Sequence, residues 1–255
     1  MKAITYDLKK KYNLHMNVLI TGVSRGVGLE ISRLFLENGH TVYGISRTES
    51  EELKILEKQY PNNLFFKAFD LSNPEDIKQS VFKDFVSNHI PIHVLINNAA
   101  VAYDDIVTNL HIDDLRKMFD VNLYSPMFLT KYVIRNMIYN RVSGSIIHIS
   151  SISAHTGYKG LSMYASSKGA LQSFSKNISR EWGERGIRSN IIVPGYMETA
   201  MNAKLTQEHK NRIFKRTALK KETDMKSVAE TVLFLAGEKS NSITGQEIFV
   251  DSGTL

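Results

Sequence analysis

The chain contains no cysteine, so disulfides and thiolate metal sites are excluded from the start. It has only 5 prolines and 15 glycines in 255 residues, too few for a collagen-like or low-complexity chain. No apolar run reaches the roughly 18 residues that a membrane span requires. Residues 1–15 carry lysines but no continuous apolar core, so they read as an extension rather than a secretory leader. A reducing compartment, the cytoplasm, is the expectation that fits these absences. Basic residues are dispersed, with no aromatic-interleaved stripe, which argues against nucleic acid as a partner.

What is present is ordinary globular composition: 42% hydrophobic and 23% charged residues, enough for a large α/β core. The net charge of +6 favours acidic ligands, although a generally basic surface gives the same number. Short apolar runs alternate with longer amphipathic stretches. Strands are predicted at 17–21, 41–46, 64–69, 94–97, 145–149, 187–193 and 247–250. Helices are predicted at 26–38, 49–60, 74–87, 112–140, 162–185, 199–217 and 226–235, with Pro126 expected to kink or divide the long one. Strands alternating with helices imply parallel pairing and right-handed crossovers. The predicted architecture is therefore a Rossmann-type, doubly wound, mostly parallel seven-stranded sheet with helices on both faces. No linker or repeat divides the chain, so 16–255 reads as one domain.

Between the first strand and first helix lies Thr21-Gly22-Val23-Ser24-Arg25-Gly26-Val27-Gly28. Gly22 permits a tight turn, Gly26 opens backbone N–H groups to an anion, and Gly28 allows close helix–sheet packing. The helix N-terminus adds partial positive charge, so this turn is built for a pyrophosphate. The second strand ends Gly44-Ile45-Ser46-Arg47. It carries no carboxylate for a ribose 2′-hydroxyl, whereas Arg47, aided by Arg25, can pair with a 2′-phosphate. NADPH is thus expected over NADH.

Tyr164 and Lys168 are four apart on a predicted helix and share one face. A free tyrosine has a pKa of about 10. A lysine charge about 5 Å away, at an effective dielectric of about 20, favours tyrosinate by about 3 kcal/mol. That predicts a tyrosine drawn toward working pH as an acid–base group. Ser151 supplies a hydroxyl donor for a substrate carbonyl, with Ser150 as the neighbouring alternative. His148 alternates with Ile147 and Ile149 and reads as a packed strand histidine.

Taken in order, these elements resemble the short-chain dehydrogenase/reductase family from Asn17 onward. Asn97-Asn98-Ala99-Ala100 is similar to its Asn-Asn-Ala-Gly, with Ala100 in place of the last glycine. Asn122, Ser151, Tyr164 and Lys168 match its catalytic set, and the thirteen residues from serine to tyrosine select Ser151. The resemblance implies that Tyr164 is the proton donor in ketone reduction. Lys168 would tune it and hold the nicotinamide ribose, and Asn122 would anchor a water in a proton relay. It further implies cofactor contacts from Gly22, Ser24, Arg25, Gly26, Val27, Gly28, Arg47, Asp70, Leu71, Asn98, Ala99, Tyr164, Lys168, Pro194, Gly195, Met197 and Thr199. Residues 194–201 and 243–246 resemble 3-oxoacyl-[acyl-carrier-protein] reductases, and Arg185 lies where those present a basic contact to the acidic carrier. An acyl thioester on that carrier is therefore the implied substrate and partner. Another small ketone, sugar or polyol fits the same chemistry, and a non-catalytic dinucleotide-binding regulator fits less well. The resemblance also implies a homotetramer. Apolar residues on the two long helices, among them Met118, Phe119, Phe128, Leu129, Leu171, Phe174 and Ile178, supply surface for it.

Overall fold

The computed structural model describes residues 15–198 and 206–255. Among these, seven strands form one sheet: β1 (Asn17–Thr21), β2 (Thr41–Ser46), β3 (Leu64–Ala68), β4 (Val94–Asn97), β5 (Gly144–Ile149), β6 (Ile187–Pro194) and β7 (Glu247–Val250). The order is β3-β2-β1-β4-β5-β6-β7 and every pairing is parallel, as expected of a doubly wound sheet. Strand side chains alternate between two cores. Val18 and Ile20 pack with α1 (Gly26–Glu37) and α8 (Met225–Ala236) on one face. Leu19 and Leu95 pack on the other face with α5 (Ser125–Asn140), whose Leu129 and Val133 are fully buried, and with Ile178 of α6 (Ser162–Trp182). No helix among the described residues is long and apolar enough to cross a membrane.

Several element boundaries follow from caps. The helix α2 (Glu51–Gln59) begins where the Ser50 hydroxyl accepts the Leu53 N–H at 3.1 Å. Asp224 caps α8 by accepting from the N–H groups of Lys226 and Ser227.

Two helix predictions need correction. The stretch 74–87 forms a 3-10 turn (Pro74–Asp76) and a single helical turn, α3 (Ile77–Ser80). Beyond it Asp84 and Val86 donate to carbonyls five residues back. Val81, Phe82 and Val86 are all buried, and adjacent Val81 and Phe82 cannot both lie centrally on one regular helical stripe. The stretch 112–140 is interrupted before Pro126 rather than at it: α4 (Ile112–Phe119) runs into a π-helical segment (Asp120–Tyr124), and α5 follows. Pro126 sits in the first turn of α5, where a missing N–H costs little. Of the stretch 199–217, helix α7 (Gln207–Arg216) is described, while 199–205 lie outside the described residues.

Candidate active site

The carboxyl ends of parallel strands form the crevice in this kind of sheet, and the order reverses at β1, between β2 and β4. The glycine turn leaves β1 at that point. Gly26 has φ +59, and a Cβ built on it would meet nothing within 4 Å, so the backbone is open to an approaching group. Gly28 has the opposite constraint: a Cβ there would lie 2.1 Å from the Gly22 carbonyl oxygen. Arg25, at the N-cap of α1, makes no side-chain cap, and the first turn holds no acid. The helix thus presents uncapped N–H groups and its positive end to the crevice, which fits a pyrophosphate.

The turn is braced from β4. The Asn98 amide donates to the carbonyls of Thr21 at 2.9 Å and Gly22 at 3.3 Å. The Thr21 hydroxyl accepts the N–H groups of Asn98 and Ala99, each at 3.0 Å. Thr21 was not singled out in the sequence; its signal would have been a hydroxyl at the last, buried position of β1. Ser46, buried at the end of β2, accepts the Ser24 N–H at 3.1 Å, and the Ser50 hydroxyl donates to the Ser24 carbonyl. The position that lacks an acid therefore holds the turn. Arg25 and Arg47 are exposed beside it. Burial alone would raise the Asp70 carboxyl. Bonds from Ser72 and the charges of Arg47 and Lys117 outweigh it and hold the group below its usual range. Leu71 is buried behind Asp70, and its carbonyl accepts the Ser125 hydroxyl.

Ser151 follows β5 in extended conformation and opens a 3-10 turn, Ile152–Ala154. Tyr164 and Lys168 lie on the first two turns of α6. The Ser151 side chain acts on the Tyr164 phenol to favour its charged form. Lys168 Nζ sits 5.8 Å from the centre of the Tyr164 ring and donates to the Ile149 carbonyl at 2.8 Å. Ser150 faces elsewhere: its hydroxyl is buried between the Gln172 amide and the Lys168 carbonyl.

The expected lowering of the Tyr164 phenol is not what the fold produces by itself. Burial pushes it up to about 12, the Ser151 side chain acts downward, and the charge of Asp104 adds to the rise. Burial also brings Lys168 down to about 8. The lysine is turned to a carbonyl, and in this cofactor-free chain desolvation exceeds the attraction that spacing alone suggested.

Asn122 lies in the π-helical segment and is fully buried. Its side chain accepts the Val101 N–H at 2.9 Å and donates to the Val101 carbonyl and to Ser167. The amide thus clamps the loop after β4. The Asn122 main-chain carbonyl is four residues before Pro126, whose nitrogen has no hydrogen to give it. His148 is buried against Asn97 and Phe174, and burial, then the Lys168 charge, drives its pKa down to about 3. Pro194 ends β6, and the N–H of Gly195 just beyond it donates to the Val250 carbonyl at 3.0 Å. Met197 packs partly buried against the α1–α8 core. Thr199 lies outside the described residues.

A family model described as enoyl-(acyl carrier protein) reductase, of the short-chain alcohol dehydrogenase type, matches residues 22–254. A 3-oxoacyl-[acyl-carrier-protein] reductase FabG of Buchnera aphidicola subsp. Baizongia pistaciae is 36% identical over 237 residues, covering 92% of this chain and 95% of the relative. The FabG of Chlamydia pneumoniae is 35% identical over 92% of this chain and 95% of its own. Among solved structures, a gluconate 5-dehydrogenase from Burkholderia cenocepacia J2315 in complex with NADP and tartrate superposes with a TM-score of 0.87. It has 27% identity and covers 95% of this chain and 96% of that one.

Proposed function

Since the chain belongs to the short-chain dehydrogenase/reductase family, we propose that it reduces the 3-oxo group of an acyl thioester to a secondary alcohol with NADPH. The observation that carries this reading is the convergence of Ser151, Tyr164 and Lys168 at the ends of β5 and α6, beside a glycine turn shaped for a pyrophosphate. Relatives named as 3-oxoacyl-[acyl-carrier-protein] reductases, alike over nearly their whole length, support the substrate class.

The residues fit the dinucleotide. The N–H groups around Gly22, Ser24, Gly26, Val27 and Gly28 hold the pyrophosphate. Arg25 and Arg47 meet the 2′-phosphate, and Asp70 and Leu71 meet the adenine. Asn98, Ala99, Pro194, Gly195, Met197 and Thr199 border the ribose and nicotinamide. When bound, the cofactor supplies the hydride. Ser151 donates a hydrogen bond to the substrate carbonyl, and Tyr164 gives its proton to the same oxygen as charge develops there. Lys168 holds the ribose and, once drawn toward it, offsets the phenolate charge. Asn122 acts through its main-chain carbonyl, left without an α-helical donor by Pro126, to anchor a water that returns protons toward Lys168.

Two donors aimed at one oxygen favour a ketone over the carbon–carbon double bond named by the family description, which would need its proton on carbon. The gluconate dehydrogenase likeness keeps a sugar or polyol ketone as the second reading. Arg185, exposed at the end of α6, suits an acidic carrier protein. We place the enzyme in the cytoplasm as a homotetramer paired through α4, α5 and α6. Met118, Leu129, Leu171 and Ile178, expected to supply that surface, are instead buried within the chain; exposed Tyr124 and Ile138 remain for it, and light scattering reads the mass.

The test is NADPH oxidation with acetoacetyl, crotonyl and sugar-ketone substrates. Turnover of the acetoacetyl thioester is expected, with none of the crotonyl thioester. Tyr164→Phe should lower turnover by roughly 10²–10⁴-fold while the KM for NADPH holds. A Tyr164→Phe protein at the wild-type rate would refute the mechanism.

A further inference from the structure

A serine hydroxyl has one hydrogen and two lone pairs, and it rotates to suit its neighbours. Left free, the Ser151 hydroxyl could face a substrate carbonyl with its hydrogen, which is attractive, or with a lone pair, which is repulsive. The fold removes that choice. Ser151 Oγ accepts the Ser153 N–H at 3.2 Å and the Ser153 hydroxyl at 3.0 Å. With both lone pairs engaged, its own hydrogen is left for a further acceptor, and the Ser151 side chain acts on the Tyr164 phenol to favour its charged form.

Ser153 is well held for this task. It is 5% exposed and lies in the 3-10 turn between Ser151 and His155. That turn is closed by Ala154 N–H to Ser151 carbonyl at 3.1 Å and His155 N–H to Ile152 carbonyl at 2.9 Å. Ile152 anchors it from below, buried with Ile191 and Val193 of β6. We propose that Ser153 is a positioning residue, which fixes Ser151 as a hydrogen-bond donor by occupying its acceptor sites. The proposal rests on the ketone-reductase reading of the site.

Ser153→Ala keeps the N–H bond and deletes the hydroxyl bond. It should lower kcat about three- to tenfold, the range for one neutral hydrogen bond, with the KM for NADPH unchanged. Ser153→Thr, which restores a hydroxyl, should recover most of the rate. In alcohol oxidation the apparent pKa of the Tyr164 step should move up in Ser153→Ala. Ser151 can then turn its hydrogen away from the tyrosinate. An ultraviolet difference titration of the NADP complex, with Tyr164→Phe as the blank, reads the same shift without turnover. Wild-type kcat and an unshifted profile in Ser153→Ala overturn the proposal, as does a Ser153→Thr protein as slow as the alanine variant. If the wild type reduces no ketone, the reading of the site fails instead, and the titration alone decides the role of Ser153.

Discussion

Lys168 holds its ammonium group where almost no water reaches it: the residue is 2% exposed, with one carbonyl bonded to Nζ. Burial brings its pKa down to about 8 from the ordinary lysine value of 10.5. Between those values the unfolded chain binds more protons than the folded one, so stability of the cofactor-free protein should rise as pH climbs from about 8 to 10.5. Below pH 8 the buried charge is a standing cost. Lys168→Met should therefore stabilise the cofactor-free protein at pH 7 by about 1–3 kcal/mol, read as a higher thermal midpoint, while abolishing turnover. A lower midpoint would contradict this account. The sequence made the Tyr164–Lys168 pair legible through its spacing. It could not show the sign of the phenol shift, because that depends on burial in the fold and on the charge of Asp104, sixty residues away in the chain. Nor could it distinguish Ser150 from Ser151 without the family spacing, since only the folded α6 shows which hydroxyl it covers.

At the scale of elements, periodicity located the seven strands well, because a buried parallel strand is a short apolar run between turns. It failed where the backbone departs from the α-helical repeat. The π-helical segment at Asp120–Tyr124 adds a Ser125 N–H to Asp120 carbonyl bond, which no 3.6-residue pattern announces. Asn122, which clamps Val101 and Ser167, lies within that departure. The junction after β2 was more readable. Ser46 buried and Arg47 exposed match the expectation of a cation without a carboxylate at the strand end, although the bracing of Ser24 by Ser46 was not foreseen. Arg47→Ala should raise the KM for NADPH roughly ten- to a hundredfold, the range for a charged hydrogen bond, and leave that for NADH nearly unchanged. Steady-state kinetics with both cofactors checks this, and equal losses would remove Arg47 from the 2′-phosphate.

For the whole molecule, acid is the weak side. His40, 3% exposed, accepts the Met16 N–H at 3.3 Å and has its pKa lowered to about 4 by burial and then by the charges of His15 and His93. His93, which accepts the Asn17 N–H at 3.0 Å, is lowered for the same leading reason, and His148 falls to about 3. Each stays neutral when folded and takes a proton when unfolded. The contribution of these histidines should therefore be full above about pH 6.5 and be lost as pH falls toward 4. Urea midpoints between pH 7 and 4.5 should drop, and less steeply in His40→Gln. A flat series would count against the histidines. The strand order has one more consequence, in time rather than energy. As the chain is made, β2 and β3 add to one side of β1, and β4 to β7 then add in turn to the other, so each strand meets a partner already synthesised. The Gly195 N–H must wait for Val250, and the Ala218 and Leu219 N–H groups for Gly253 and Ser252. On the ribosome the crevice is thus assembled in sequence: the glycine turn first, the Ser151–Tyr164–Lys168 group next, and the wall beyond Pro194 only once Val250 to Gly253 have emerged.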